Sequence, residues 1–441
     1  MSTFSNEIGN LVLTTIDIFP TDHKRKRRRW GPRAVFLGLL MLVGSRMRLS
    51  YAELMDYLFD NWRDALSWPN RPSISGFSQA RNTITVDMCR EAWQQAVRYV
   101  EARMDPRQDT GLPGRRVICV DGSWVVAPST AGTRKRWGRI KGKKGNGDTP
   151  NPQALVVLGW DLVSRLPIGC SVLDEKEGER VGAHRLIDGF GPGDIVLMDR
   201  GFPSDRVLGH LLDRGADFVI RMTTGTARCW KEVRDFKRSG AKDAVVPIEV
   251  EDPNGNKRTV MLRLVRRAFD RGRPKKGQTR EEMIVVTSLL DHKQHSAKAI
   301  IALYKQRWAV ETAYREMKVD FRLEEFHSVT PGRIEQELYA LLTWLTFSAY
   351  LESCAEKALA ELRGPQRHDD PERYQINRGQ LHHITTWTVT DFLAGGRRWE
   401  ERLEKLETNI HHLAKDARKR RPNRSSPRVR KRPFGRSRVA K

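Results

Sequence analysis

Alternating strand and helix patterns between residues 116 and 222 constrain the fold of this 441-residue chain more than any other feature. Apolar runs typical of buried strands occur five times in this stretch. Polar segments with a helical pattern separate the third run from the fourth and the fourth from the fifth. Because strands joined by helices form largely parallel sheets, this order predicts an α/β fold. The five runs cover residues 117–120, 154–160, 166–173, 194–198 and 217–222.

Two of these strand runs end in an aspartate. Asp121 directly follows the first run, and Asp199 directly follows the fourth. Either residue alone is explained as an acid that caps a turn. The carboxyl ends of parallel strands meet at one edge of a sheet, which is where α/β proteins place their binding sites. We therefore expect the two carboxylates to lie close together at that edge.

A third carboxylate lies in residues 304–318, a stretch without Gly or Pro whose residues favour a helix. At about 100° per residue, one helix places four polar side chains within roughly 60° of one another: Tyr304, Arg307, Glu311 and Lys318. An apolar stripe adjoins them, made of Val310, Tyr314, Met317 and Phe321. We expect a single helix that carries Glu311, flanked by cations, along the edge of its buried face. A surface helix with ordinary ion pairs is the alternative for this stretch taken alone.

Three carboxylates without a partner histidine repel one another unless a cation lies between them. Hard divalent cations such as Mg²⁺ prefer oxygen ligands and leave positions open for water and phosphate oxygens. Two such ions about 4 Å apart promote phosphodiester chemistry by activating the attacking oxygen and stabilising the leaving one. On this interpretation Asp121, Asp199 and Glu311 bind the metal and are catalytic. Arg307 and Lys318 then hold phosphates beside it.

The charge of the chain indicates a polyanionic partner. Lys and Arg number 79 against 54 Asp and Glu, a formal net charge of +25. Nucleic acid is the first candidate, since each neutralised phosphate releases counterions. Ribosomal and chromatin proteins share such a charge, so it does not by itself indicate catalysis. Residues 415–441 hold 13 Lys or Arg and one acid, a composition expected to stay disordered until it meets a polyanion.

The pattern Tyr304-x2-Arg307-x3-Glu311-x6-Lys318 resembles the signature of the IS4-type bacterial insertion-sequence transposases, with all four positions filled. The runs VICVDGS around Asp121 and VLMDRGF around Asp199 resemble the other markers of that family. The resemblance covers roughly residues 116–355. It implies an α/β, RNase H-like (retroviral-integrase-like) catalytic core with a β-strand insertion between the second aspartate and the glutamate. The glutamate follows the second aspartate by 112 positions (311 minus 199), and the stretch between them contains three short strand-like runs and an Asn-Gly turn signal.

The resemblance also implies an activity. Family members cut DNA at the terminal inverted repeats of an element and join the 3′-hydroxyl to target DNA, with Mg²⁺ as cofactor, for which we expect Mn²⁺ to substitute. Several members pass through a DNA hairpin, helped by a tryptophan of the insertion that holds a flipped base. Trp230 is the tryptophan of that stretch here. We expect the DNA contacts to come from Tyr304, Arg307, Lys318, Arg200 and Trp230.

Partners and location follow from the same resemblance. The expected partners are double-stranded DNA, both element ends and target, and a second copy of the chain in an active homodimer. The five cysteines are scattered and are expected to be reduced thiols. The longest apolar run, residues 36–43, is too short to span a bilayer, and no secretory pattern opens the chain. We expect a cytoplasmic bacterial protein with no membrane partner.

The expected domains follow from these patterns. Residues 1–110 form a helical unit with basic ends that we expect to bind DNA, although a helical packing or dimerisation unit is an alternative. Residues 111–222 and 295–362 are the two parts of the RNase H-like core, and residues 223–294 are the β-rich insertion. Residues 363–441 are a helical, basic C-terminal region that ends in the disordered tail.

Three functions remain open at this level. The first is a transposase that cleaves and transfers DNA strands. The second is a domesticated DNA-binding protein that has lost catalysis, against which the complete set of three acids argues. The third is an RNase H-like nuclease without strand transfer. The long insertion and the cations that flank Glu311 favour strand transfer over simple hydrolysis.

Overall fold

A computed structural model describes residues 3–20, 30–44, 49–63, 70–104, 114–139, 149–225, 229–268, 282–366, 372–393 and 399–419. The sequence also has two basic runs, at residues 24–29 and 141–144, and both lie outside these ranges. So does the tail beyond residue 419, on which the expectation of disorder mainly rests. Across the described helices, none is both long and apolar enough to cross a lipid bilayer.

The N-terminal part of the chain is helical. Its elements are α1 (Thr3–Ile16), α2 (Pro32–Gly44), α3 (Tyr51–Trp62), α4 (Ile74–Ala80), a 3₁₀ turn (Arg81–Thr83) and α5 (Val86–Glu101). Side-chain caps explain where three of them begin. Ser50 and Glu53 form the capping box of α3, Ser73 accepts from the amide of Gly76 in α4, and Thr85 caps α5. The apolar helix α2 is buried nearly all round, so it is a core helix.

A mixed sheet forms the centre of the molecule, which confirms the α/β prediction. Its strands are β1 (Arg116–Val126), β2 (Gln153–Asp161), β3 (Pro167–Leu173), β4 (Asp194–Met198), β5 (Asp217–Arg221), β6 (Asp243–Glu251), β7 (Lys257–Ala268) and β8 (Glu282–Thr287). In the described part of the chain the strand order is β3-β2-β1-β4-β5-β8-β7-β6. β1 is parallel to β4 and β4 to β5, whereas the other neighbours are antiparallel.

Helices cover both faces of this sheet because its strands are apolar on both sides. Those that connect the strands are α6 (Ala131–Trp137), α7 (Glu179–Ile187), α8 (Asp205–Asp213) and α9 (Lys231–Arg238). Along β1, Ile118 and Val120 belong to one buried cluster, whereas Val117 and Cys119 belong to the other. This alternation is the two-residue period of a strand. The first cluster lies beneath α7 and α8, and the second joins the helices of the N- and C-terminal parts.

The stretch after β5 departs from the expected pattern in two ways. Helix α9 lies in it, where the sequence indicated strands alone. The three strands of this stretch, β6, β7 and β8, continue the central sheet, because β8 pairs with β5 through residues such as Ile220 and Val286. The hairpin expected at Asn254-Gly255 is present between β6 and β7, with Gly255 at φ +87°.

The prediction of one continuous helix over residues 304–318 is wrong. The chain forms α10 (Ala297–Lys305), α11 (Trp308–Arg315) and a π-helical turn (Glu316–Asp320). Between α10 and α11 the amides of Gln306 and Arg307 bond to carbonyls three residues back, which tightens the chain. At the other end the amide of Phe321 bonds five residues back, to Glu316. Tyr304, Glu311 and Lys318 therefore lie in three successive segments, and Arg307 lies at the junction of the first two.

A long helix, α12 (Pro331–Arg363), runs through the helical side of the molecule and packs against α5 and α2. The chain then continues through β9 (Tyr374–Gln375), α13 (Arg378–Leu393), α14 (Trp399–Lys415) and β10 (Arg418–Lys419). Both α13 and α14 pack on α12.

A buried ion pair ties the N-terminal helices to α12. The guanidinium of Arg81, with no exposed surface, donates to Glu337 Oε1 at 2.9 Å and to the Tyr51 hydroxyl at 2.6 Å. On its other side, Glu337 Oε2 accepts from the backbone amide of His327 at 3.0 Å. A second buried group joins the π-helical turn to α13, where Glu316 pairs with Arg378 at 2.7 Å and with His382.

Candidate active site

Asp121 and Asp199 lie side by side at the central parallel pair of strands. Val120 of β1 is in register with Met198 of β4, so the next residue on each strand is one of the aspartates. The expectation that β1 ends at Asp121 is wrong. The strand loses its partner β4 at Val120 but stays paired with β2, and it therefore continues to Val126. The parallel pairing with β4 therefore ends just before Asp121, whereas the strand itself continues past this residue.

Glu311 reaches the same place from the helical layer. It lies in α11, which packs on β1. The hydroxyl of Tyr314, one turn further along, lies 3.0 Å from the carbonyl oxygen of Asp121 and 2.7 Å from that of Val156 in β2. This buried contact holds α11 against the two strands. It therefore determines where Glu311 lies relative to Asp121.

Arg307 lies between two of the three acids. Its guanidinium donates to Asp121 Oδ2 at 3.0 Å and to Glu311 Oε1 at 2.5 Å. The side chain is buried, which alone would lower its pKa, but Tyr304, Asp121 and Glu311 raise that pKa above the ordinary value. Arg307 is therefore a permanent positive charge inside an acidic cluster.

The third acid, Asp199, is bonded by the tyrosine of the same pattern. The hydroxyl of Tyr304 donates to Asp199 Oδ1 at 3.2 Å. Burial first, and then the charge of Asp199, raise the pKa of Tyr304, so the phenol remains a hydrogen-bond donor at neutral pH. Of the residues predicted from the sequence, Tyr304 thus bonds to Asp199, and Arg307 joins Glu311 to Asp121, although α10 and α11 are separate helices.

The electrostatics of Asp121 show how closely the acids interact. Burial raises the pKa of Asp121, and the charges of Glu311 and Asp199 raise it further. Arg307 and the amide of Gly122, at 3.0 Å from Oδ1, act in the opposite direction. The pKa of Asp121 is raised overall, so Arg307 and Gly122 together do not outweigh burial and the two neighbouring acids.

The contacts of Lys318, Arg200 and Trp230 among the described residues are with groups other than the three acids. The ammonium of Lys318 donates to the carbonyl of Trp124 and pairs with Glu324 at 3.3 Å, further along β1. Arg200 is exposed and directly follows Asp199. Trp230 precedes α9 and is half-buried. It lines a cleft of about 440 Å³ with Arg180, Ser204 and Glu232 among others.

The structure also adds residues that sequence reasoning missed. Glu179 at the start of α7 is close enough to Asp121 and Asp199 for their charges, after burial, to raise its pKa. Glu324 accepts from the amide of Val126 at 3.1 Å and thereby holds the end of β1 beside Lys318. Tyr314 was expected only as part of an apolar stripe. The sequence does show a phenol in an otherwise apolar stripe, which was the available indication for Tyr314. Glu179 and Glu324 do not form part of any recognisable sequence motif.

The donors of this site suit a hard divalent cation. All are carboxylate oxygens, and a cationic guanidinium already lies between two of them. As they stand, no three His, Cys, Asp or Glu side chains of the described ranges are grouped closely enough to hold a metal ion. Arg307 accounts for part of this spacing, because it bridges Asp121 and Glu311.

Comparison with known proteins shows the family to which this chain belongs. Residues 112–347, more than half of the chain, match the family described as "Transposase DDE domain". The chain belongs to that family, which implies a phosphoryl-transfer enzyme. Among curated proteins it is similar to "Transposase InsG for insertion sequence element IS4" of Escherichia coli (strain K12), with 25% identity over 202 residues. That alignment covers 43% of this chain and 42% of the relative, so it spans less than half of either protein.

Proposed function

We propose that this protein is a cut-and-paste transposase that binds the terminal inverted repeats of its insertion sequence, cleaves the DNA there and joins the ends to a target. The observation that carries the proposal is the meeting of Asp121, Asp199 and Glu311 around Arg307. Three acids from distant parts of the chain interact at one place, within a domain of the DDE transposase family. We assign them as the catalytic triad.

The sheet supports an RNase H-like, retroviral-integrase-like core. Its first five strands have the order β3-β2-β1-β4-β5, with β1 parallel to β4 and antiparallel to β2. Residues 111–222 and 295–362 make up this core in our proposal, and residues 223–294 are the insertion. Residues 363–441 are assigned as a C-terminal region with a basic tail that adds non-specific affinity for DNA.

We propose Mg²⁺ as the cofactor, with Mn²⁺ as a substitute, held by Asp121, Asp199 and Glu311. When bound, the divalent ions supply the positive charge that stabilises the transferring phosphoryl group. In their absence Arg307 balances two of the acids. Because a guanidinium is well suited to phosphate oxygens, we propose that Arg307 exchanges these carboxylates for a DNA phosphate in the loaded complex. Tyr304 keeps Asp199 oriented, and Tyr314 keeps α11 on the strands.

The cleft beside Trp230 is the proposed site for a base turned out of the DNA helix. It offers an indole for stacking and Arg180 for a neighbouring phosphate. Arg180 directly follows Glu179, and its Nε donates to the carbonyl of Gly201 at 3.1 Å, so the cleft adjoins the segment that carries Asp199. We assign Arg200, exposed on that segment, to the same DNA strand.

Recognition of the element ends is assigned to residues 1–110. Helix α4 exposes Ile74, Ser75 and Gln79, and its N-cap Ser73 is exposed as well, so hydroxyl and amide groups able to contact base edges lie on this surface. The buried Arg81–Glu337 pair fixes this helix relative to α12, so the recognised DNA has a defined position relative to the core. The active complex is proposed to be a homodimer that acts in the bacterial cytoplasm.

A nicking assay tests the proposed function. The full chain is incubated with a plasmid that carries the inverted repeats flanking its gene, in Mg²⁺ or in EDTA, and the products are mapped. We expect metal-dependent cleavage at the repeat ends and joining of those ends to target DNA. Cleavage without joining would indicate a nuclease, and binding without cleavage would indicate a domesticated DNA-binding protein.

Replacing Arg307 or Lys318 by alanine should weaken binding to element-end DNA and reduce its salt dependence. The reason is that each lost phosphate contact removes about one unit from the slope of log K against log salt concentration. Gel-shift titrations in Mg²⁺ or Ca²⁺ at several salt concentrations measure both quantities. Lys298→Ala, at an exposed position near the start of α10, is the control and should leave the slope unchanged. An unchanged slope in Arg307→Ala would mean that its contacts with Asp121 and Glu311 are its whole role.

A further inference from the structure

A buried histidine of the C-terminal region contacts both ends of the π-helical turn that follows α11. The turn begins at Glu316, and Phe321 directly follows its last residue. His382 of α13 is 1% exposed, and its Nε2 bonds to Glu316 Oε1. The His382 ring lies edge-on to the Phe321 ring, with 5.0 Å between the two centroids. One side chain, 66 positions after Glu316 in the chain, therefore holds the turn at both ends.

Glu316 is a buried acid whose two oxygens have different partners. His382 bonds to Oε1, and Arg378, also in α13, pairs with Oε2 at 2.7 Å. Burial by itself would raise the pKa of Glu316, but the bond from His382 and the charge of Arg378 hold that pKa below its ordinary value. The carboxylate is thus ionised at neutral pH, and α13 supplies the groups that compensate its burial.

His382 is itself fixed by α12. Its Nδ1 lies 3.2 Å from the hydroxyl oxygen of Ser348, and its ring packs beside the indole of Trp344, with 5.2 Å between the centroids. An imidazole that is bonded at both nitrogens cannot rotate without breaking a bond to one of its partners. His382 therefore connects the π-helical turn to α12 in a defined orientation.

The π-helical turn carries Lys318 as its third residue. Met317 before it is fully buried, whereas Val319 after it is 67% exposed, so the chain leaves the core at Lys318. The ammonium of Lys318 donates to the carbonyl of Trp124 in β1 and pairs with Glu324 at 3.3 Å. Turns of this kind are rare and occur frequently at functional sites. The position of the lysine thus depends on the backbone that the two ends of the turn hold in place.

We propose that His382 positions Lys318 for its contact with a DNA phosphate and that it acts through Glu316 at the start of the turn. The inference rests on the proposed function, in which Lys318 binds DNA beside the triad. Without the bond from His382, Glu316 would still pair with Arg378, but the turn would be held less firmly. The ammonium of Lys318 would then lose more conformational freedom on binding DNA, which weakens binding. Helix α13 thereby contributes to DNA binding by the core.

The competing explanation is that this buried group only attaches α13 to the core. Two substitutions of His382 separate the explanations, because each retains a different part of the imidazole. The amide of glutamine reaches about as far from the main chain as Nε2 does, so His382→Gln retains a donor for Glu316. The shorter asparagine reaches about as far as Nδ1, so His382→Asn retains a polar group for Ser348 and leaves Glu316 without this bond.

Gel-shift titrations of the full-length chain with element-end DNA, in Ca²⁺ at several salt concentrations, measure the effect. We expect His382→Asn to bind more weakly than the wild type and to lose about one unit from the slope of log K against log salt concentration, as Lys318→Ala does. His382→Gln should restore most of both quantities. The double variant of His382→Asn with Lys318→Ala should bind no more weakly than Lys318→Ala alone, because both changes remove the same contact.

Two further variants distinguish positioning from a general loss of stability. Leu413→Ala opens a cavity at a buried position of α14, which packs on α12 and α13. This variant should lower Tm but leave the salt slope unchanged. Glu316→Gln keeps the size of the side chain and places an amide NH₂ group against one of its donors, His382 or Arg378. It should reproduce the loss of slope even where His382→Asn is too unstable to measure.

The outcomes are distinguishable. A wild-type salt slope in His382→Asn would overturn the inference, as would a double variant whose loss is the sum of the two single losses. A loss of slope in Leu413→Ala equal to that in His382→Asn would assign the effect to stability and would also overturn it.

Failure of the proposed function gives a different pattern. If Lys318→Ala has the wild-type slope, the inference and the assignment of Lys318 to DNA fall together, whereas nicking by the triad variants still decides the proposed function. If the wild type binds element ends without cleaving them in Mg²⁺, the proposed function fails, and the binding titrations still decide the role of His382.

Discussion

Alanine in place of Asp121, Asp199 or Glu311 should reduce Mg²⁺-dependent nicking of element-end DNA by about three orders of magnitude or more. Each acid comes from a different element, β1, the segment after β4, and α11, so none is able to replace another. Gel-shift affinity for the same DNA should stay near that of the wild type, because most phosphate contacts come from other residues. Nicking and gel-shift assays on the same preparations measure the two effects.

The control for the triad is an acid of the same charge elsewhere. Asp87→Ala removes an exposed carboxylate that pairs with Arg90 on its own helix, and it should nick DNA as the wild type does. Thermal unfolding of each variant guards against misfolding, since Asp121 and Glu311 also pair with Arg307. If an alanine variant folds and still nicks DNA as the wild type does, the residue it replaces does not belong to the catalytic triad.

Replacing Arg81 by methionine should lower the free energy of unfolding by about 3–5 kcal/mol. Its guanidinium is fully buried and bonds to Glu337, to the Tyr51 hydroxyl and to the carbonyl of Arg333 at 2.7 Å. The substitution preserves much of the side-chain volume but removes the guanidinium partner of the buried Glu337 carboxylate, to which His327 still donates. Urea unfolding of the full-length chain at neutral pH measures the loss.

The loss should depend on pH in a defined direction. Burial by itself would raise the pKa of Glu337, but bonds from His327 and the charge of Arg81 hold it below the usual range. Such a group contributes stability above its unfolded pKa and loses that contribution as the pH falls through its folded pKa. Without Arg81 the carboxylate takes up its proton more readily. The difference between variant and wild type should therefore shrink as the pH is lowered from about 7 to about 4.

An exposed pair provides the comparison for Arg81. Arg98 pairs with Glu91 on the surface of α5, where their side chains are 55% and 38% exposed. Arg98→Met should cost less than about 1 kcal/mol, because water screens such pairs. If Arg81→Met lowered the free energy of unfolding as little as Arg98→Met does, the N-terminal helices would not depend on the Arg81–Glu337 pair for their attachment to α12. A penalty that stayed constant with pH would point to packing rather than charge.

The strands and the two aspartates could be predicted because the information is local. Apolar runs and the acids that follow them are adjacent in the chain, and parallel pairing brings equivalent ends together. Asp121 and Asp199 accordingly follow register partners in β1 and β4. The capping box at Ser50 and Glu53 is local for the same reason.

What could not be predicted depends on contacts between distant segments. The break between α10 and α11 arises where Arg307 reaches Asp121, a residue 186 positions earlier in the chain. The helix propensities of residues 304–318 give no indication of that contact. Glu179 belongs to an ordinary amphipathic segment until α7 packs on the sheet beside Gly122 and Gly201. The pairing of β8 with β5 likewise becomes evident only in the assembled sheet.

The position of α12 has a consequence for how the protein is made. This helix covers α2 and α5, but it begins 230 residues (331 minus 101) after α5 ends. At about 5–20 residues per second, a ribosome needs roughly 10–45 s to synthesise that interval. During this time the N-terminal helices have left the ribosome, but the apolar surface of α12 on which α2 and α5 pack has not yet been synthesised. The N-terminal helices therefore complete their packing only after the segment carrying Glu311 has been synthesised, so a chain truncated before α12 leaves them incomplete.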